Sequence, residues 1–138
     1  MVAFGVDRDR WESAAEIQRW SGIAPITAQS GTQLWIHHRW ACSKFPHQTF
    51  HDFAAQSIVW CDWARAFYDR MRKVEKKGRH AALRALAYKW IRILFRCWKD
   101  RVRYDDELYL RGLKTRHSPL PGLVEQLRET KRTKKEAA

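Results

Sequence analysis

Ser30 lies between Gln29 and Gly31 at the end of SGIAPITAQSG, a stretch bounded by two glycines and stiffened by Pro25. A serine hydroxyl becomes a nucleophile only where something helps it lose its proton, either a base or positive charge that stabilises the alkoxide. The plainer reading is a turn residue, because serine beside glycine is ordinary turn chemistry. Spacing does not decide between the two. His37 and His38 could supply a base if the segment after the loop folds back beside it. Arg39 offers a guanidinium, which pairs two phosphate oxygens at once.

Two other constellations could carry chemistry. His37, His38, Cys42, His47 and His51 crowd into one short stretch, with His47 and His51 one helical turn apart. Zinc would use such ligands, but there is no paired ligand spacing on a second element, and aromatic-rich cores often hold histidine for packing, so no metal is assigned. The second is a row of cations. Between Arg79 and Arg103 runs RHAALRALAYKWIRILFRCWKDRVR, free of Gly and Pro. At helical spacing Leu83, Leu86, Trp90, Ile93, Leu94, Cys97 and Trp98 share one broad face, while Lys89, Arg92, Arg96, Lys99 and Arg103 fall on the opposite side. Such a row is either a solvated outer face or a phosphate-facing one. No acidic residue interrupts it before Asp100, which favours phosphate.

The elements that must position these residues are mostly helical. Asp9 with Glu12 resembles a capping box for a helix over about residues 10–20, with Trp11, Ala14, Ala15 and Ile17 inward and Ser21-Gly22 closing it. The serine stretch reads as a loop. LWIHHRW, residues 34–40, is aromatic and β-branched enough for a short strand or one arm of a hairpin. Helices are predicted over residues 46–56, 59–76, 79–103 and 105–113, the last opened by Asp105-Asp106-Glu107 at the positive end of its dipole. Ser118–Gly122 is a turn, and residues 119–138 read as a basic tail that frays. MVAFG at the start is an apolar scrap too short to bury itself. The expected fold is a mainly α, compact helical domain with one short β element after the serine loop.

Charge and composition narrow the partners. The 138 residues carry 27 Lys/Arg against 15 Asp/Glu, a net charge of +12, with 45% hydrophobic content and eight Trp. That describes a folded, single-domain chain rather than a disordered one. Residues 51–104 hold 14 Lys/Arg against 5 Asp/Glu, so most of the surplus sits mid-chain. A polyanion is the natural partner, nucleic acid before membrane. No stretch is apolar for long enough to span a bilayer, and Asp7 arrives too early for a secretory signal. Three widely spaced cysteines without CxxC read as reduced thiols of a cytoplasmic protein. The tryptophans are mostly core by spacing, although Trp35 and Trp40 could stack on unpaired bases. No helix-turn-helix or finger pattern announces sequence-specific base reading, so backbone contacts are expected.

The run WSGIAPITAQSG, its continuation WIHHRWACSKFPHQTFHDFA, and ALRALAYKWIRILFRCWKDRVRYDDELYL together resemble the C-terminal transposase domain of a bacterial insertion-sequence family, the DEDD-type, serine-dependent transposases guided by a bridge RNA. The resemblance covers roughly residues 2–118. It implies that Ser30 is the nucleophile that attacks the DNA phosphodiester, and that Gly22, Pro25 and Gly31 frame its loop. It also implies DNA as substrate, a guide RNA and full-length transposase subunits as partners, and a DNA-associated location in a bacterial cytoplasm. In that family Mg²⁺ is held by an N-terminal RuvC-like domain, which this chain does not resemble. A coiled coil and a helix-hairpin-helix segment are likewise without counterpart, as expected of a truncated copy. Asp7, Asp9, Glu12 and Glu16 read as a surface helix and Asp105–Glu107 as dipole capping, so no Mg²⁺ is expected on this chain and the chain alone is expected not to recombine DNA. The competing readings are a non-catalytic nucleic-acid-binding remnant, and an interaction module whose apolar N-terminus docks on a full-length relative.

Overall fold

A computed structural model of the protein describes residues 2–138, and Met1 lies outside the described residues. The fold is mainly α. A 3₁₀ turn (Val2–Phe4) precedes α1 (Ala14–Trp20), a hairpin of β1 (Ile26–Ser30) and β2 (Gln33–His37), then α2 (Lys44–Trp60), α3 (Asp62–Lys73), α4 (Arg79–Asp100), α5 (Asp106–Thr115) and α6 (Leu120–Glu136). No helix among the described residues is long and apolar enough to cross a membrane. The chain forms two units, one of residues 1–54 and 84–104, the other of residues 55–83 and 105–138.

The first unit is built on aromatic packing. Phe4 is fully buried, and its ring lies 5.6 Å from that of Phe50 and 5.5 Å from that of Trp98. Its carbonyl accepts the indole N–H of Trp11 at 3.0 Å. The N-terminal scrap, expected to be too short to bury itself, thus contributes one large buried ring, that of Phe4. Trp11, Ile17, Ile23, Leu86, Trp90 and Ile91 complete this core. Ile93, Leu94, Cys97 and Trp98, expected inward, are only half-buried.

Helix α1 starts at Ala14, later than the Asp9 capping box implies. The Asp7 carboxylate accepts the Asp9 amide and forms a local turn, while Glu16 reaches back to the Glu12 amide at 3.0 Å. Ser13 with Glu16 is thus the pair at the true start, although the Ser13 side chain makes no capping bond. The other end is as the sequence has it. Gly22 adopts φ +71° and its amide bonds to Arg19 O. A Cβ there would sit 2.4 Å from Cys42 Sγ, so glycine is required twice over, by backbone and by space.

The second unit buries Trp63, Ala64, Phe67 and Met71 of α3 with Leu110, Leu120 and Val124. Trp63 meets Tyr109 with ring centroids 4.8 Å apart. The predicted boundary between the second and third helices is misplaced. Helix α2 continues to Trp60, and a single extended residue, Cys61 (φ −118°, ψ 115°), separates it from α3. Trp60, expected inward on the third helix, ends the second and is exposed. The Cys61 thiol donates to Asp106 at 3.4 Å, and burial pushes it up to about 12, with the Asp106 charge adding to the rise. It stays protonated at neutral pH. Residues 120–136, read as a fraying tail, form α6 instead, because Leu120 and Val124 are buried and Asp62 accepts from Lys131 at 2.6 Å and from Arg128 at 3.1 Å. Asp105 caps α5 by accepting the Leu108 amide at 3.0 Å.

Two expectations follow. Gly22→Ala should lower stability by about 2–4 kcal/mol, from positive-φ strain plus the clash with Cys42. Gly31→Ala, with φ +60° but nothing within 4 Å of the added carbon, should cost only about 1–2 kcal/mol. Urea denaturation of the two variants checks the order. The Lys131 hydrogen bond first, and Arg128 after it, hold the Asp62 carboxyl below the usual range. Its folded value lies below its unfolded one, so its contribution is complete above about pH 4 and is lost as pH falls through the lowered value. Hydrogen exchange across α6 should therefore stay slow down to about pH 4 and quicken below it, and Asp62→Asn should remove that acid limb.

Candidate nucleic-acid interface

Strands β1 and β2 are antiparallel, with Ser30 opposite Gln33 and Ile26 opposite His37. The connection is Gly31-Thr32 alone. Gly31 has φ +60° and Thr32 is not among the residues with positive φ, the combination used by the turn class that places glycine at the first central position. SGIAPITAQSG is thus not a loop: its second half is a strand, and Ser30 stands at a hairpin tip. Ser30 is exposed, and among the described residues its hydroxyl has no hydrogen-bond partner. The nearest polar side chain by sequence, Gln29, donates to Gly31 O at 3.2 Å.

The register tests the histidine bases. The chain does fold back beside the serine, but His37 pairs with Ile26 at the far end of the ladder. Four residue steps of strand separate it from the tip, roughly 13 Å. His37 cannot reach the Ser30 hydroxyl, and His38 lies beyond the strand end. Sequence reasoning allowed this base because it had no register.

The remaining histidines do come together. The rings of His38 and His47 lie 5.3 Å apart, those of His47 and His51 6.3 Å apart. His47 Nδ1 is 3.1 Å from Ser21 O, a carbonyl that can only accept, so Nδ1 carries a proton. Burial, the charge of Arg84 and the neighbouring His47 hold His38 below the ordinary histidine value. Among the described residues no three or more His, Cys, Asp or Glu side chains converge to hold a metal ion. Five of the carboxylates are engaged elsewhere: Asp7 and Glu16 accept turn amides, Asp105 caps α5, Asp106 accepts from Cys61 and Glu107 pairs with Arg128 at 3.2 Å. These carboxylates do not fit an Mg²⁺ site.

The framework residues separate into two places. Gly22 closes α1 against Cys42, Pro25 is exposed just before β1, and Gly31 makes the turn beside Ser30. Arg39 follows the hairpin, makes no ion pair among the described residues, and has its Nε–H buried without an acceptor.

The row of cations on α4 is less uniform than its spacing implies. Arg92 is exposed and makes no ion pair among the described residues. Arg96 meets Asp100 at 3.6 Å, both side chains more than half exposed, a pairing of little energetic consequence. Lys89 is half-buried. Lys99 Nζ donates to Arg8 O at 2.6 Å and to Trp11 O at 3.4 Å, and Arg8 Nε in turn donates to Trp98 O at 3.0 Å. Lys99 thus ties the N-terminal segment to the end of α4. Arg103 leaves the row altogether: α4 stops at Asp100, Arg101 takes φ +55°, and the Val102 amide closes back on Cys97 O at 3.0 Å.

One feature was legible in the sequence but lay between the motifs. From Ile17 to His51 there is no Asp or Glu, while Arg19, Arg39, Lys44 and four histidines fall in that span. The hairpin and the segment after it are therefore carboxylate-free. Their apolar side chains are also uncovered: Ile26, Leu34, Trp35, Ile36, Trp40 and Phe45 are all exposed.

Residues 1–69, from the 3₁₀ turn through the hairpin and α2 into α3, match the family model described as the Transposase IS116/IS110/IS902 family. The matched span contains Ser30, Gly22, Pro25, Gly31 and Arg39, and leaves the cations of α4 outside it. No curated protein and no solved structure matches the chain. Half of the sequence thus carries one family's pattern, and the chain belongs to the IS116/IS110/IS902 transposase family.

Proposed function

We propose that this chain is a DNA-handling part of an insertion-sequence transposase in which Ser30 attacks a DNA phosphodiester. The Ser30 oxygen bonds to phosphorus, the bond from phosphorus to one sugar oxygen breaks, and that oxygen leaves as a hydroxyl after taking a proton. DNA is held by backbone contacts from Arg39, Arg92 and Arg96. The single observation that carries the reading is the position of Ser30: exposed and unpartnered at the turn of a two-residue hairpin, inside the matched segment. A hydroxyl at such a tip can approach phosphorus without a wall of side chains in its way. A guide RNA, further transposase subunits and a bacterial cytoplasmic location go with this reading. The Mg²⁺ of the reaction would be held by another domain, and the chain alone would not complete recombination.

A second reading has an observation of its own. His37 sits at the far end of the ladder from Ser30, and the Ser30 hydroxyl has no hydrogen-bond partner among the described residues. No group of three or more His, Cys, Asp or Glu side chains could hold a metal among the described residues. A chain that only binds nucleic acid would look the same in these respects. The apolar N-terminus favours neither reading, because Phe4 is spent in the core.

Mixing the chain with insertion-end DNA, Mg²⁺ and a separately supplied metal-binding transposase domain should yield a covalent protein–DNA adduct on a denaturing gel. Ser30→Ala should abolish it. An adduct that persists in that variant refutes the nucleophile assignment, and no adduct from the natural sequence leaves the binding-only reading standing. On α4 the cations should divide. Arg92→Gln should leave thermal stability unchanged and reduce the salt slope of duplex binding by about one. Lys99→Met should lower the melting temperature, because two carbonyls lose their donor.

A further inference from the structure

The hairpin is an unusual surface for a two-stranded ribbon. Antiparallel ribbons ordinarily bury one face, yet here Trp35 is 46% exposed on one face and Ile36 69% exposed on the other. Trp40, just beyond, is 86% exposed, and His38 is its one aromatic neighbour among the described residues, with ring centroids 4.8 Å apart. Aromatic rings left in water near a glycine turn need an occupant to account for them.

Charge decides which occupant. The span from Ile17 to His51 holds Arg19, Arg39 and Lys44 and no carboxylate. A second copy of this chain would bring the same cations to the same place, on top of a net charge of +12, and like charges brought together disfavour association. Duplex DNA offers phosphates but hides its base faces in the stack, presenting only base edges in the grooves. Unpaired nucleotides offer both phosphates and flat apolar faces. Alternating cations and exposed aromatic rings form the surface that single strands use.

We propose that the hairpin is a platform for unpaired nucleotides, with one base stacked on Trp35, another on Trp40, and Arg39 and Lys44 pairing with the phosphates between and beside them. The buried, acceptor-less Nε–H of Arg39 is part of this arrangement, since a phosphate oxygen reached by a small side-chain shift would complete it. Register ties the platform to the tip. Ala28 pairs with Trp35 and Ser30 with Gln33, so Ser30 and Trp35 share one face of the ribbon as diagonal neighbours, roughly 7–8 Å apart. A strand stacked on Trp35 passes across the Ser30 hydroxyl. The inference deepens the reading of the chain as a DNA-handling part and gives the strand at Ser30 a state: unpaired.

The test is fluorescence anisotropy of the full chain with a labelled oligothymidylate and with a labelled duplex of equal length, at matched salt. The single strand should bind more tightly and quench tryptophan emission. Trp35→Ala and Trp40→Ala should each weaken it roughly 5- to 100-fold, while Trp40→Phe keeps most of the affinity. Far-UV circular dichroism should be unchanged in Trp40→Ala, whose side chain is almost fully in water. Equal affinity for duplex and single strand overturns the proposal, and so does wild-type affinity in both alanine variants. A concentration-dependent dimer that those variants abolish, without oligonucleotide binding, assigns the face to a second copy and also overturns it. Binding is read on the Ser30→Ala chain in parallel with the adduct assay, so the loss of the nucleophile and the loss of stacking are separate results.

Discussion

The position of the hairpin depends on one close approach, that of Cys42 to Gly22. Neither face of β1–β2 is buried, so the ribbon gains little from packing and must be held at its base. At that base α1 ends in a left-handed glycine with the Cys42 side chain in the space where a Cβ would go. Around this buckle the loose polar ends of α1 are tied off. Buried Gln18 donates to Tyr88 O at 2.9 Å, and His47 donates to Ser21 O. The chain segments on either side of the ribbon are thereby brought to one rigid foot. Ser30 gets its address from residues that never touch it.

The basic surplus is divided between structure and surface. Lys99 spends its donors on the Arg8 and Trp11 carbonyls, and Arg8 donates to the Trp98 carbonyl near the end of α4, where cations also suit the helix dipole. Arg128 and Lys131 hold α6 to α3 through Asp62. Near the hairpin and on α4, Arg39, Lys44, Arg92 and the weakly paired Arg96 are left without a strong ion pair among the described residues. Net charge therefore overstates the number of cations free to meet a partner. Burial and partners must be subtracted first, and spacing along a helix does not supply them.

The sequence disclosed most where a local rule was strong. Helix α4 has no breaker and starts at Arg79 as expected, although it stops at Asp100 rather than Arg103 and its apolar stripe is buried only in its first half. The Ser21-Gly22 stop came through intact. The glycine pair around SGIAPITAQSG hid a strand, because Ile26–Ser30 has no buried face to impose alternation, and a two-residue hairpin is fixed only by its register. The break at Cys61 left no trace, since neither Gly nor Pro marks it and one extended residue suffices. The same holds at Lys76, Arg101 and His117, all at positive φ next to helix ends where glycine would be the usual sign. For the candidate site, the family resemblance singled out Ser30 and guanidinium chemistry singled out Arg39, but distance was illegible. The histidine base failed on register, and Lys99 proved to be a tie between segments.

That failure bears on how Ser30 could act at all. An alcohol in water is a poor nucleophile, and its activation requires a base or a concentration of positive charge at the reacting phosphate. The base that the sequence offered is not at the tip: His37 is about 13 Å away along the ladder, and the histidine cluster is drawn toward α1 and α2. Exposure is consistent with this, because a preorganised alkoxide site would be walled from solvent to strengthen its electrostatics. The tip is better understood as half of a site. On the proposed function it would present its hydroxyl to a strand held by Trp35, Trp40 and Arg39, and the groups that take the proton would have to come from outside the hairpin. On the proposed function such a division would make cleavage conditional, because the serine would stay inert until the strand and the second set of groups were both in place.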